Sequence, residues 1–81
     1  MSLNVFTHQL SSGDSSSESF DLDGVPLSET NVALDLVNGT AQALNGDFGV
    51  DGTQIKWDSS AYTLNGQLST YDIVRVIYDR A

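Results

Sequence analysis

Apolar and polar residues alternate position by position along several short stretches of this chain, the pattern of strands with one buried face. The clearest stretch is YDIVRVIYDR, residues 71–80, with Val74, Val76 and Tyr78 on one face and Ile73, Arg75 and Ile77 on the other. NVALDLV, residues 31–37, sets Val32, Leu34 and Leu36 against Ala33, Asp35 and Val37. SFDLDG sets Phe20 and Leu22 against Asp21 and Asp23, and TQIKW sets Ile55 and Trp57 against Gln54 and Lys56. LNVFTHQL, residues 3–10, reads as a first strand anchored by Val5 and Phe6, with His8 in phase with Phe6.

Between these runs lie the dipeptides Asn38-Gly39, Asn45-Gly46, Asp51-Gly52 and Asn65-Gly66, spaced 6 to 14 residues apart. Asn, Asp and Gly tolerate the positive φ of tight turns, so this spacing predicts hairpins. The stretch LNGDFGVDGTQIKW, residues 44–57, then reads as one hairpin. Phe48 and Val50 pack, the chain turns at Asp51-Gly52, and Ile55 and Trp57 return to the core. The Ser-rich segment 11–19 is predicted to be a mobile loop. SETNVALDLVNGTAQAL also admits a helix capped by Ser28, but Asn38-Gly39 interrupts it, and Val32, Val37 and Thr40 are β-branched, so a strand is the better reading. The expectation is an all-β, single-domain chain over residues 1–81: a small antiparallel β-sandwich or open barrel of roughly six to eight short strands.

Composition narrows the function. The 81 residues hold 11 acidic and 3 basic side chains, a formal net charge of −8, and no cysteine. A thiolate metal site and a disulfide framework are excluded. So acidic a chain repels phosphate backbones and anionic lipid surfaces, so no nucleic-acid partner is expected. No apolar run reaches the length of a membrane-spanning helix, so no membrane insertion is expected. The first residues lack a basic stretch followed by an apolar one, so no secretory leader is expected.

Several constellations of chemistry-bearing residues are weighed in the same way. Asp47-Phe48-Gly49 has the letters of the kinase magnesium element, but the glycine-rich and catalytic loops that element needs are missing. Gly46, Gly49 and Gly52 lack the strand–turn–helix setting of a dinucleotide site. Asp21, Asp23, Asp47 and Asp51 are the hard oxygen donors that calcium takes, yet DLDGVPLSETNV departs from a calcium loop at Val25, Pro26 and Val32. His8 has no Gly-x-Ser-x-Gly partner motif. Asn38-Gly39-Thr40 matches a glycosylation acceptor and reads as a turn. The chain is therefore expected to be non-enzymatic and to need no cofactor. Trp57, Tyr62 and Tyr71 are candidate stacking platforms for a sugar ring. Ile73, Arg75 and Ile77 are candidate interface residues, because a half-exposed strand is normally polar on its outer face.

Residues 31–80 resemble the small β-rich domains of tailed-bacteriophage virion proteins, both tail-fibre and tail-associated, and the upstream VFTHQL…SFDLDGVPLS is similar to the paired first hairpin of such domains. The resemblance is carried by the strand at Val32 to Val37 with its Asn-Gly turn and by Gly46-Asp47-Phe48. It continues through V-x-G-T-x-I-x-W at Val50, Gly52, Thr53, Ile55 and Trp57, and D-x-V-x-V-x-Y at Asp72, Val74, Val76 and Tyr78. It implies a virion structural or accessory protein, a tail or decoration component, without catalytic residues. Such a protein works as a homo-oligomer or docks on other virion proteins, in the virion or in the host cytoplasm before assembly. The alternative is a carbohydrate- or receptor-binding module that reads a cell-surface glycan through exposed aromatics.

Overall fold

The computed structural model describes residues 2–37, 39 and 41–81. In chain order the elements are β1 (Ser2–Gln9), α1 (Ser12–Ser17), β2 (Ser19–Asp21), β3 (Val32–Leu36), β4 (Ala41–Gln42), β5 (Gly49–Asp51), β6 (Gln54–Lys56) and β7 (Ile73–Arg80). They form two antiparallel sheets, one in the order β1-β7-β3-β4 and one in the order β2-β6-β5. Of the sandwich or open barrel expected, the all-β fold observed is two antiparallel sheets. β1 and β2 lie in different sheets rather than forming the paired first hairpin that the resemblance implies, because each finds its ladder partner far along the chain.

The most regular run, β7, lies between β1 and β3 in the larger sheet. Its Val74, Val76 and Tyr78 are buried, together with Val32 and Leu34 of β3. Phe20, Leu22, Ile55 and Trp57 meet them from the smaller sheet, and Leu10, Phe48 and Leu64 close the ends of the same core. Asp21 and Asp23 are exposed, as their alternation with Phe20 and Leu22 requires. The 31–37 segment is a strand rather than a helix, because both of its flanks find ladder partners, β7 on one side and β4 on the other.

The turns follow the dipeptides only in part. Asp51 pairs with Gln54, so the β5–β6 turn is the two residues Gly52 and Thr53, with Gly52 at φ 61°. Glycine suits the first central position of this turn because a side chain there is strained. Asn45 has φ 66° and opens a compact loop in which its N–H donates to the Phe48 carbonyl (2.7 Å). Asn65-Gly66, with Gly66 at φ 75°, is not a hairpin turn but lies within the irregular segment 58–72. Asn38 and Thr40, and with them the Asn38-Gly39 turn and the glycosylation match, lie outside the described residues.

Segment 11–19 departs from the expected loop. Ser12–Ser17 is a short helix capped on both sides of its first turn: Asp14 N–H donates to Ser11 Oγ (3.1 Å), and Ser11 N–H donates to Asp14 Oδ2 (2.9 Å). A helix of this length is not stable alone. It is held by Asp14 on His8 of β1 and by the Ser15 hydroxyl on the Leu68 carbonyl.

Gly49 is required for a different reason from Gly52. A Cβ at this position would press on the Tyr62 phenol, 2.8 Å from Cζ and closer still to Oη. Gly49→Ala is expected to cost about 1–3 kcal/mol by overpacking. Urea unfolding checks this: the cost should largely vanish in a Tyr62→Ala background, where the ring is gone.

Candidate functional site

The buried face of the larger sheet accounts for the alternate residues of β1, β7 and β3. Their other face is open. Its rows follow from the register: Val5, Ile77 and Ala33 lie side by side, as do Thr7, Arg75 and Asp35, with Ala41 beyond Asp35 on β4. Gln9 stands beside Ile73, and Val37 N–H donates to the Ile73 carbonyl (2.8 Å), which continues that row. Leu3 stands beside Asp79. Leu3, Val5 and Val37 are 71%, 54% and 38% exposed. Ile73 and Ile77 are half-buried by these neighbours. A shallow depression of about 280 Å³ opens at one end, among Leu3, Ala33, Ile77 and Asp79.

At the centre of this apolar face Arg75 donates to Asp35 Oδ2 at 2.8 Å. The hydrogen bond that Arg75 donates to Asp35, and then the Asp35 charge, raise the Arg75 pKa above the ordinary guanidinium value. The pair leaves no free cation in the middle of the face and fixes β3 and β7 side by side. The sequence-derived residues Ile73, Arg75 and Ile77 thus share one surface with Leu3, Val5, Ala33 and Val37. The strand order brings this second group to them, and no local pattern announces it.

The stacking candidates are not brought together. Trp57 is 1% exposed and packs on Phe20, with ring centroids 6.0 Å apart, so its indole cannot stack on a sugar. Tyr62 is half-buried against Gly49. Only Tyr71, 91% exposed, is free to stack. The reason is register: Trp57 continues the inward phase of Ile55, and that phase carries it into the core.

The carboxylates suspected as calcium donors are not gathered into one site. Asp21 and Asp51 flank Gln54 from opposite neighbouring strands. Asp23 accepts from the Tyr78 hydroxyl and from Asn4 Nδ2 (2.8 Å). Asp47 accepts from Ala43 N–H (2.6 Å) and the Thr63 hydroxyl, so it anchors a loop. Among the described residues, no three His, Asp or Glu side chains are grouped to hold a metal ion. Glu18, unremarked in the sequence, is another such anchor. It ends α1 at φ 55°, and its carboxylate accepts from Asn65 Nδ2 (3.1 Å) and Gly66 N–H (2.7 Å). The Ser11-x-x-Asp14 spacing was a legible cap signal of the kind that starts a helix. Glu18 offered no comparable signal, since its partners lie 47 and 48 residues away.

His8 does have a carboxylate partner. Its Nε2 is 2.8 Å from Asp14 Oδ2, and its ring stacks on Phe6 and Phe20 with centroids 5.4 and 4.8 Å apart. The depression on the outer face is not lined by this pair. The pair joins α1 to β1.

No helix among the described residues is long and apolar enough to cross a membrane. The chain matches no family model, no curated protein and no solved structure.

Proposed function

We propose that this chain is a non-catalytic assembly module, a structural or accessory component of a phage-type virion, acting through the outer face of its four-stranded sheet. The observation that carries the reading is the apolar surface of Leu3, Val5, Ala33, Val37, Ile73 and Ile77 around one internally paired arginine, on a chain of net charge −8. Large exposed apolar patches of this kind mark surfaces that other molecules cover. The resemblance of residues 31–80 to tail-fibre and tail-associated domains supplies the virion setting. The glycan-binding alternative rests on Tyr71 alone once Trp57 is in the core.

Light scattering behind a sizing column tests the self-association. The wild-type protein is expected to exceed its chain mass of 8.7 kDa as concentration rises. Ile77→Lys is expected to lower that mass, and circular dichroism checks that the variant keeps its fold with lysine at this half-buried position. A wild-type monomer at every concentration would overturn self-association, and an Ile77→Lys variant of undiminished mass would overturn the outer face as its contact.

A further inference from the structure

The two sheets present strands β1, β4, β2 and β5 at their edges. Three of these are short, with 2 residues in β4 and 3 each in β2 and β5. Short edges are a common way of discouraging unwanted pairing. The fourth, β1, runs for 8 residues, contains neither proline nor any Lys, Arg, Asp or Glu, and pairs with β7 alone.

The ladder fixes which of its backbone groups are free. Leu10 N–H donates to the Asp72 carbonyl (3.1 Å), in line with the Gln9–Ile73 pairing beside it. Bonded and non-bonded pairs alternate along antiparallel strands, so His8, Phe6 and Asn4 also turn their backbone groups toward β7. The Val37 N–H to Ile73 carbonyl bond agrees, because it gives Ile73 to β3 and leaves Val74, Val76 and Tyr78 for β1. The N–H and C=O groups of Leu3, Val5, Thr7 and Gln9 therefore point to the open edge. These same residues place their side chains on the outer face.

We infer that β1 is a pairing edge for a second copy of this chain, joined antiparallel about a two-fold axis at Phe6. This names the partner in self-association and so rests on the assembly reading above. Centring the axis on Phe6 uses every free group: Leu3 pairs with Gln9 of the second copy, and Val5 with its Thr7. Charge selects the occupant and the edge together. Two chains of net charge −8 repel wherever their carboxylates meet, and residues 1–13 contain no acidic side chain. Of the carboxylates beside the strand, Asp14 and Asp23 are engaged by His8 and Asn4 on its inner side, and Asp79 stands beside Leu3 on β7, one strand in from the edge. Pairing joins the two larger sheets into one and continues the apolar outer face across the junction through Leu3 and Val5.

Amide hydrogen exchange of the wild-type protein tests this directly. Protection at Leu3, Val5, Thr7 and Gln9 is expected to rise with protein concentration, while Asn4, Phe6 and His8 stay protected throughout. Free exchange of the odd-numbered amides at every concentration would overturn the inference and leave the edge to a strand of another protein. Thr7→Pro is the matching variant, since proline is tolerated on an edge strand where the N–H faces solvent. It is expected to halve the mass, from twice 8.7 kDa to 8.7 kDa, with the near-ultraviolet spectrum of Trp57 unchanged. If Ile77→Lys lowers the mass and Thr7→Pro does not, edge pairing is overturned and the outer-face reading stands. The reverse result supports edge pairing and removes the outer face as the contact.

Discussion

Trp57→Ala is expected to be strongly destabilising. The indole is 1% exposed and lies at the centre of the core contributed by both sheets. Truncating a buried tryptophan to alanine costs about 3–5 kcal/mol, the lost transfer energy plus the cavity left behind. A chain of 81 residues has roughly 4–12 kcal/mol of total stability to lose, so the substitution removes about a quarter of it at the least. Urea unfolding followed by far-ultraviolet circular dichroism measures the effect. Trp57→Phe is the informative contrast. It keeps much of the packing and removes the Nε1 donor, which is buried without a hydrogen-bond partner. Its cost should be clearly smaller than that of alanine. A Trp57→Ala variant of near-normal stability would mean that the indole is not in the core. In the folded wild-type protein a soluble quencher should barely touch Trp57 fluorescence, which separates this packing role from sugar stacking.

Stability is expected to fall at both ends of the pH range, and the Tyr78–Asp23 pair links the two. On the acid side the Tyr78 hydroxyl bond, followed by that of Asn4, holds the Asp23 carboxyl below its ordinary value. Burial pushes Asp14 up, but hydrogen bonds from the Ser11 backbone, His8 and the Ser11 hydroxyl outweigh it, so it too is lowered. Asp47 is lowered by the Thr63 hydroxyl and then by Ala43 N–H. A depressed folded pKa contributes stability above the unfolded value, about 3.9 for aspartate, and loses it as pH falls through the folded value. On the alkaline side, burial and then the bond to Asp23 raise the Tyr78 pKa above 10.0. The neutral phenol stabilises the fold below about pH 10, and that contribution is lost as pH rises through the raised value. Urea midpoints across pH, with a tyrosine absorbance titration, should show both limbs. Asp23→Asn is expected to shrink the acid limb and to lower the Tyr78 titration. An acid limb unaltered in Asp23→Asn would exclude Asp23 from this account.

The parts of the fold that were legible in the sequence are those with a local cause. Val74, Val76 and Tyr78 are buried because alternate side chains of a strand point to opposite faces, and that rule operates over adjacent residues. The same rule assigned Phe20, Leu22, Val32, Leu34, Ile55 and Trp57 to the inside. Turn chemistry was legible only where the turn is a closed hairpin, as at Gly52. Asn65-Gly66 uses the same backbone freedom inside segment 58–72, where Glu18 supplies the hydrogen bonds that a ladder would have supplied. Helix α1 was obscured because Ser-rich composition disfavours helix, whereas its clamp, His8 on Asp14, is tertiary.

The candidate site divides along the same line. Alternation showed that Ile73, Arg75 and Ile77 share a face, but period two is symmetric and does not say what lies against that face. Strand order decides it: β7 is central, and its neighbours bring Val5, Ala33, Leu3 and Val37 to the same surface and Asp35 to Arg75. The same order leaves β1 at the edge, with the backbone of Leu3, Val5, Thr7 and Gln9 unpaired. By itself the sequence determined the strands, their inward residues and the acidic charge, because each depends on neighbouring residues or on composition. Tertiary structure alone decided which strands lie at the edges and which face is left open. Those depend on pairings between residues far apart in the chain, whose energies no local pattern encodes.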